Sequence, residues 1–358
     1  MAKRKKSSGV GIKKILIIAI FLFLAISGLL AFDFYRKIFS PNVKISDKES
    51  AYLYVKTGST LSDVTNELFS RGYIKNASSF EWVANRKNYF KPEQIKPGKY
   101  KIKSGMSNND LVNLLRSGNQ VPVRINLSNV RTVYQIAGLA SKNLELDSLK
   151  LLELMRNSEY LSKQFGLNKR TVFSLFIPDT YEFFWNTDEQ TFLDKMAVYY
   201  KEFWTDERIQ KAESIGFSQF EVAILASIVQ SEQSRKKDER PIIAGLYINR
   251  LKKEMKLESD PTVIYAIGDF SIKRVIGKDL KTDSPFNTYR NYGLPPAPII
   301  LAEKDAMDAV LNHQKHNYIF MCAKEDLSGY HYFAENYLQH KIYAARYRNA
   351  LNKRGIIR

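Results

Sequence analysis

The stretch FSQFEVAILASIVQSEQSRKKDERPIIAGLYINRL, Phe217 to Leu251, decides how this chain is read. Ser218 followed three residues later by Glu221 has the form of a capping box, and Phe220, Ala223, Ile224, Ala226 and Ile228 continue as an apolar helix. One face of that helix runs through Leu225, Ile228 and Val229, and the next residue on it is Glu232. A core-facing stripe therefore ends in a carboxylate. Partial desolvation there disfavours the charged form and strengthens the hold on a proton, the state a general acid needs. A surface glutamate in the last turn, or one paired with Arg235 or Arg250, satisfies the same pattern.

Around this helix lie segments of alternating type. Before it come TVYQIAGLASKNL (132–144), which reads as a helix, and the aromatic FSLFIPDTYEFFW (173–185). After it come DPTVIYAIG (260–268), the turn-rich TDSPFNTYRNYGLPPAPI (282–299), and the alternating pair NYIFMCAK (317–324) and GYHYFAE (329–335). A last helix is expected over Tyr337–Lys353. Helices with a few antiparallel strands in segregated runs predict an α+β domain over 120–358.

Nearer the N-terminus the chain repeats itself. YVKTGSTLSDVTNELF (54–69) aligns with KIKSGMSNNDLVNLLR (101–116), matching Val55 with Ile102, Gly58 with Gly105, Thr60 with Ser107, Asp63 with Asp110 and Leu68 with Leu115. Each copy reads as a short strand, a glycine turn, and a helix N-capped by Thr or Ser with Asp at its third position. The pattern resembles the LysM-like module, a small α/β fold whose relatives bind N-acetylglucosamine-containing glycans, and it is expected over 48–119.

Ile15 to Phe32 is an unbroken run of apolar or small residues, just long enough to cross a bilayer. The small-residue cleavage site of a signal peptide is poorly represented after it, so an uncleaved anchor over 15–34 is expected, with a linker over 35–47. Lys3, Arg4, Lys5, Lys6, Lys13 and Lys14 precede the span without an acid, which predicts a cytoplasmic basic head over 1–14 and an extracytoplasmic remainder. The net charge is +18, of which that head supplies six. The rest is scattered among acids, and suits a solvated surface or an anionic envelope polymer; nucleic acid is not an expected partner. The single cysteine, Cys322, forbids an intramolecular disulfide and reads as a buried, inert thiol on a strand.

The chain is 358 residues long with 44% hydrophobic residues, ample for a well-buried core. His313, His316, His331 and His340 include no His-Glu-x-x-His pattern, and although His331 and His340 can approach one another, neither a metal nor a cofactor is expected. No glycine-rich phosphate loop is present. Asp, Glu, Asn and Tyr remain for chemistry.

The segments ILASIVQSE (224–232), RPIIAGLYINRL (240–251), LESDPTVIYAIG (257–268), SPFNTYRNYGLPPAPI (284–299) and GYHYF (329–333) together resemble the endolytic murein transglycosylase, or YceG-like, family. Its members carry a membrane anchor, a LysM-like module and a catalytic domain in that order. The family pattern is Ala-Ser-Ile-(Val/Ile)-Glu-x-Glu, with the second glutamate catalytic. Here Gln230 replaces the first, and Glu232 is retained.

What the resemblance implies is a lytic enzyme that cuts the MurNAc-GlcNAc β-1,4 bond of nascent peptidoglycan. Glu232 would act as acid and then as base, and leave a 1,6-anhydromuramyl end. One carboxylate suffices where the substrate's own C6 hydroxyl is the nucleophile, whereas hydrolysis uses a second. Asn287, Tyr289, Asp260, Asp179 and Ser227 are the expected substrate-binding residues. Asp260, ahead of Pro261, equally reads as a helix N-cap, Asp179 shares that ambiguity, and Thr288 in the same loop offers a hydroxyl. Cell-wall synthesis enzymes are the protein partners this reading suggests. A hydrolytic muramidase using Asp179 or Asp260, or a non-catalytic glycan-binding anchor, are its alternatives.

Overall fold

The computed structural model describes residues 9–46 and 48–354, so Lys3 to Lys6 of the expected basic head lie outside the described residues. Helix α1, Gly9–Phe39, is apolar and unburied from Lys13 onward. At about 1.5 Å per residue it exceeds the thickness of a bilayer core, and it continues five residues past the expected end of the span. The expected linker does not hang free. Val43 and Ile45 are buried, Val43 bridges Ile74, and the Asn42 amide donates to Asn108 Oδ1 at 2.7 Å.

Two compact units divide the chain. One comprises the residues up to Val123 with Phe184–Asn186, the other Arg124–Phe183 and the residues from Thr187 onward. In the first, strand β1 (Ser50–Val55) precedes helices α2 (Leu61–Ser70) and α3 (Ala77–Arg86), strand β2 (Gly98–Lys103) and helix α4 (Asn108–Ser117). β1 and β2 pair antiparallel, Ser50 opposite Lys103 and Val55 opposite Gly98. Both expected caps form: Thr60 accepts from the Asp63 amide and Ser107 from the Asp110 amide, each at 3.2 Å, and each Asp returns a bond to its cap residue. Gly58 and Gly105 take φ of +79° and +87°, the left-handed turn that the repeat requires of glycine. Leu53, Val55, Leu68, Phe80, Tyr100, Ile102 and Leu115 fill the core. Helix α3, capped by Asn76, follows the first copy and has no counterpart in the second.

The second unit begins one residue into strand β3 (Val123–Asn126), then come α5 (Val133–Asn143), α6 (Ser148–Arg156) and α7 (Ser158–Phe165), and strand β4 (Thr180–Phe183), which pairs with β3. Helices α8 (Glu189–Phe203), α9 (Asp206–Ser214), α10 (Gln219–Glu232), α11 (Arg240–Lys252), α12 (Asp260–Ile267) and α13 (Lys304–Leu311) follow. Strands β5 (Phe320–Ala323) and β6 (His331–Ala334) form the expected antiparallel pair, Phe320 opposite Ala334, and α14 (Tyr337–Lys353) has its expected bounds. The fold is mixed α+β.

Helix α10 is the axis of this unit. Its capping box forms, with Ser218 accepting from the Glu221 amide at 3.3 Å, and every residue from Val222 to Gln230 is buried. Apolar residues all round, not one stripe, are what a helix enclosed by neighbours needs. Those neighbours include α11 and α13, whose Ile243, Leu246, Met307 and Val310 share its core. Gly245 lets α11 lie close to the following strap, since a Cβ there would come within 2.3 Å of the Gln314 carbonyl.

Candidate active site

Helix α10 ends at Glu232 because Gln233 leaves the helical conformation, and that turn is tightly held. The Gln233 side-chain oxygen accepts from the Lys236 amide at 2.9 Å, and its carbonyl accepts from Arg240 Nε at 2.9 Å. Arg240, 1% exposed, also donates to Glu303 and Asp305 at 2.9 and 2.6 Å. A buried guanidinium with carboxylate partners thus fixes the backbone immediately after Glu232.

Glu232 is surrounded by protein, yet part of its surface opens into a cleft of about 300 Å³. Oε1 accepts from the Tyr247 hydroxyl at 2.9 Å and from Ser259 Oγ at 2.5 Å. Oε2 has no hydrogen-bond partner among the described residues, so it is the oxygen left for a proton and a ligand. Burial pushes the carboxyl above the ordinary glutamate range; the Ser259 and Tyr247 bonds oppose this, and the Asp260 charge adds to it. Neither Arg235 nor Arg250 pairs with it. Arg250 instead donates to Glu258 at 2.6 Å and to the Leu257 carbonyl at 2.8 Å.

The two hydroxyls come from different directions. Tyr247 rises from α11, 1% exposed, and burial lifts its own phenol well above the usual range. Ser259 is the N-cap residue of α12, but makes no side-chain cap. The expected cap at Asp260 is therefore one residue out of register: Asp260 is already helical, and Ser259 turns its hydroxyl to Glu232. Glu258, just before it, holds φ of +53°, a conformation uncommon for a residue with a Cβ. Thr288 pins this turn, its hydroxyl accepting from the Ser259 amide at 3.0 Å and meeting Thr262 Oγ1 at 2.8 Å.

The sequence-derived site residues divide. Asp260 and Tyr289 line the cleft with Glu232, joined by a 2.7 Å bond from the Tyr289 hydroxyl to Asp260 Oδ1; burial and that contact raise the phenol's proton affinity. Asn287 does not reach the cleft. Fully buried, it donates its side-chain N–H groups to the Leu280 and Thr282 carbonyls and accepts from the Tyr289 amide through Oδ1, and so shapes the loop that presents Tyr289. Ser227 is interior too, donating to the Ile224 carbonyl and accepting from the Ile299 amide. Asp179 lies in another pocket, beside Tyr181, Arg208 and Lys304, where the Lys304 ammonium and then the Thr180 amide hold its carboxyl below the usual range.

Gln230 accepts from the Glu303 amide at 2.6 Å through its side-chain oxygen. A carboxylate could accept there equally well, so the substitution leaves the scaffold bond in place. Cys322 is only half-buried and borders the cleft, which corrects its expected burial, though partial burial does keep the thiol protonated. His331 and His340 line the cleft as well. His340 stacks on Phe320, and burial followed by the Arg250 charge lowers its proton affinity. Among the described residues no cluster of three or more His, Cys, Asp or Glu is arranged for a metal ion. Tyr247 and Ser259 escaped sequence reasoning although both lie inside the quoted motifs, because nothing local ties a tyrosine or a serine to a carboxylate 15 or 27 residues away.

Comparison with known proteins supplies an independent frame. The model of the YceG-like family matches residues 53–346. The endolytic murein transglycosylase of Bacillus subtilis is 28% identical over 345 residues, covering 90% of this chain and 92% of that one. The protein of the same name from Streptococcus pneumoniae serotype 2 is 26% identical over 372 residues; the match covers 94% of this chain but 66% of that longer one. A crystal structure of a YceG-like protein from Listeria monocytogenes superposes with a TM-score of 0.55 at 26% identity, covering 83% of this chain and 99% of that one.

Proposed function

The chain belongs to the YceG-like family, and from that membership together with the Glu232 cleft we propose that it is a membrane-anchored lytic transglycosylase cutting the MurNAc-GlcNAc β-1,4 bond within nascent peptidoglycan strands. The observation that carries this reading is the state of Glu232: a carboxyl with raised proton affinity, tethered through Oε1 and open through Oε2.

The reaction follows from that asymmetry. Oε2 gives its proton to the glycosidic oxygen as the C1–O bond breaks. The C6 oxygen of the same muramyl residue then bonds to C1, and its proton returns to Oε2. Because two hydroxyls hold Oε1, the carboxyl is not free to rotate, and one oxygen performs both transfers. The acid is regenerated, no water is consumed, and the product carries a 1,6-anhydro bridge.

The remaining assignments complete the proposal. Lys3 to Lys14 would stay in the cytoplasm, α1 would span the membrane, and both units would lie outside it. The repeated strand-helix unit over 48–119 would hold GlcNAc-containing strands for a catalytic unit over 120–358. Asp260 and Tyr289 would contact the sugar. Cell-wall synthesis enzymes would be its protein neighbours.

One rival keeps a specific observation in its favour. Asp260 shares the cleft and leaves Oδ2 without a hydrogen-bond partner among the described residues, so a muramidase could use it to activate water, whereas Asp179 lies in a different pocket. Incubating the purified full chain in detergent with glycan strands decides: anhydro ends support the proposal, reducing ends support the muramidase, and no cleavage leaves only a binding protein.

A further inference from the structure

We propose that His331 is a further substrate-contacting group of the Glu232 cleft, accepting a hydrogen bond from a sugar hydroxyl through Nε2 while the buried carboxylate of Glu239 holds its ring; this rests on the reading of the cleft as a glycan site. Nothing in the sequence pointed to the pair, whose members are 92 residues apart.

Glu239 is 4% exposed, and an isolated carboxylate so placed would cost several kcal/mol. It is satisfied by three donors. The His331 amide reaches Oε1 at 2.8 Å, while His331 Nδ1 and the Gln233 amide group reach Oε2 at 2.9 and 2.7 Å. The ring's tautomer follows from counting hydrogens. Gln233 Nε2 has two, and it places them on Glu239 and on the Gly329 carbonyl at 3.0 Å. Its 3.5 Å approach to Nδ1 therefore supplies no proton, and Nδ1 must itself donate to Glu239. In the neutral ring the lone pair then belongs to Nε2.

That nitrogen has no hydrogen-bond partner among the described residues, and the ring, 18% exposed, lines the cleft that holds Glu232. The cleft thus offers a donor on Glu232 Oε2 and an acceptor on His331 Nε2, with aromatic surface from Tyr289 and Phe320. A sugar next to a scissile bond presents hydroxyl hydrogens and an ether oxygen, which is the complementary set. Gln233 belongs to both halves: its carbonyl is clamped by Arg240, its amide by Glu239, and it follows Glu232 in the chain. Acid and acceptor are held in one frame.

The test uses the full-length protein in detergent and a MurNAc-GlcNAc strand of defined length, with kcat and KM measured separately. In His331→Asn the shorter amide can still donate to Glu239 but has no atom at the Nε2 position; in His331→Gln the side-chain oxygen reaches that position. We expect His331→Asn to lose on the order of tenfold or more in kcat/KM, the effect of one hydrogen bond, and His331→Gln to recover most of it, with both melting close to the parent. Wild-type kcat/KM in His331→Asn, or equal impairment of both variants, overturns the proposal while leaving the Glu232 reading intact. Should His331→Asn fail to fold, His331→Gln alone decides, because impairment as deep as that of Glu232→Gln overturns it. If the parent protein does not cleave the strand at all, the transglycosylase reading fails and this proposal falls with it.

Discussion

Ser259 donates its hydroxyl to Oε1 of Glu232 at 2.5 Å instead of capping the helix it precedes. A cap forgone costs about 1 kcal/mol of helix stability, so the bond to the carboxyl draws on stability available elsewhere. With Tyr247 on the same oxygen, it leaves Oε2 as the carboxyl oxygen that has no hydrogen-bond partner among the described residues.

Glu232→Gln should lose a hundredfold or more of the cleavage rate, roughly the contribution of a general acid, because the near-isosteric amide cannot donate the required proton. Thermal melting should stay at or above that of the parent, since Oε1 of Gln can still accept from Ser259 and Tyr247. Retention of parental cleavage would remove Glu232 from the mechanism.

The raised proton affinity of Glu232 also has a signature in stability. Between its ordinary value of 4.5 and its higher folded value, the folded chain holds more protons than the unfolded one, so stability falls as pH rises through that window. This contribution is fully present below 4.5 and lost by the time pH has passed the folded value. Denaturant titrations should therefore show the parent losing stability relative to Glu232→Gln as pH increases above 4.5. A difference independent of pH would mean that the carboxyl is not perturbed.

Ser259→Ala and Tyr247→Phe each remove a bond that favours the charged form of Glu232, and so should raise its proton affinity further. The alkaline limb of the pH-rate profile, where the acid loses its proton, should move to higher pH in both. The maximal rate should drop several-fold as the carboxyl gains freedom to rotate. A limb that stays in place or moves to lower pH would contradict the tether.

Scaffold variants should follow contacts and not propensities. Gly245→Ala would gain about 1 kcal/mol of helix propensity, yet its methyl would meet the Gln314 carbonyl at 2.3 Å and His316 Nε2 at 2.8 Å. Net destabilisation of about 2 kcal/mol in urea unfolding is expected. Arg240→Met should cost about 2–3 kcal/mol, less than a fully buried pair because Glu303 and Asp305 are partly exposed and keep Lys237 beside them. It should lower kcat more than it raises KM, because it frees the turn after Glu232.

What could be read in the sequence was what short-range chemistry determines. Thr60, Ser107 and Ser218 each sit three residues from the carboxylate that completes their capping box, so the pattern and the structure coincide. The strand pair at Cys322 and Tyr332 and the last helix were equally legible from alternation and length. Glu232 stood out because a carboxylate at the end of an apolar helix is locally anomalous. Its partners did not, since Ser259 and Tyr247 are brought to it by tertiary packing. Ser259 itself shows the limit: Pro261 marked the helix start, but whether serine or aspartate served as cap depended on where the carboxyl of another helix lay. Asn287 carried the composition of a sugar-binding loop, whereas the structure uses its amide to satisfy buried carbonyls.

The most direct test of the account is the origin of the oxygen at the cleaved muramyl C1. Digestion of glycan strands by the full-length protein in heavy-oxygen water, followed by mass analysis of the ends, separates internal attack by the C6 hydroxyl from attack by water. A carboxyl with one working oxygen and a substrate nucleophile should give muramyl ends that carry no label and are lighter than a reducing sugar by the mass of one water. Reducing ends labelled from the earliest time points would contradict it, and would make Asp260 the second carboxylate of a hydrolase.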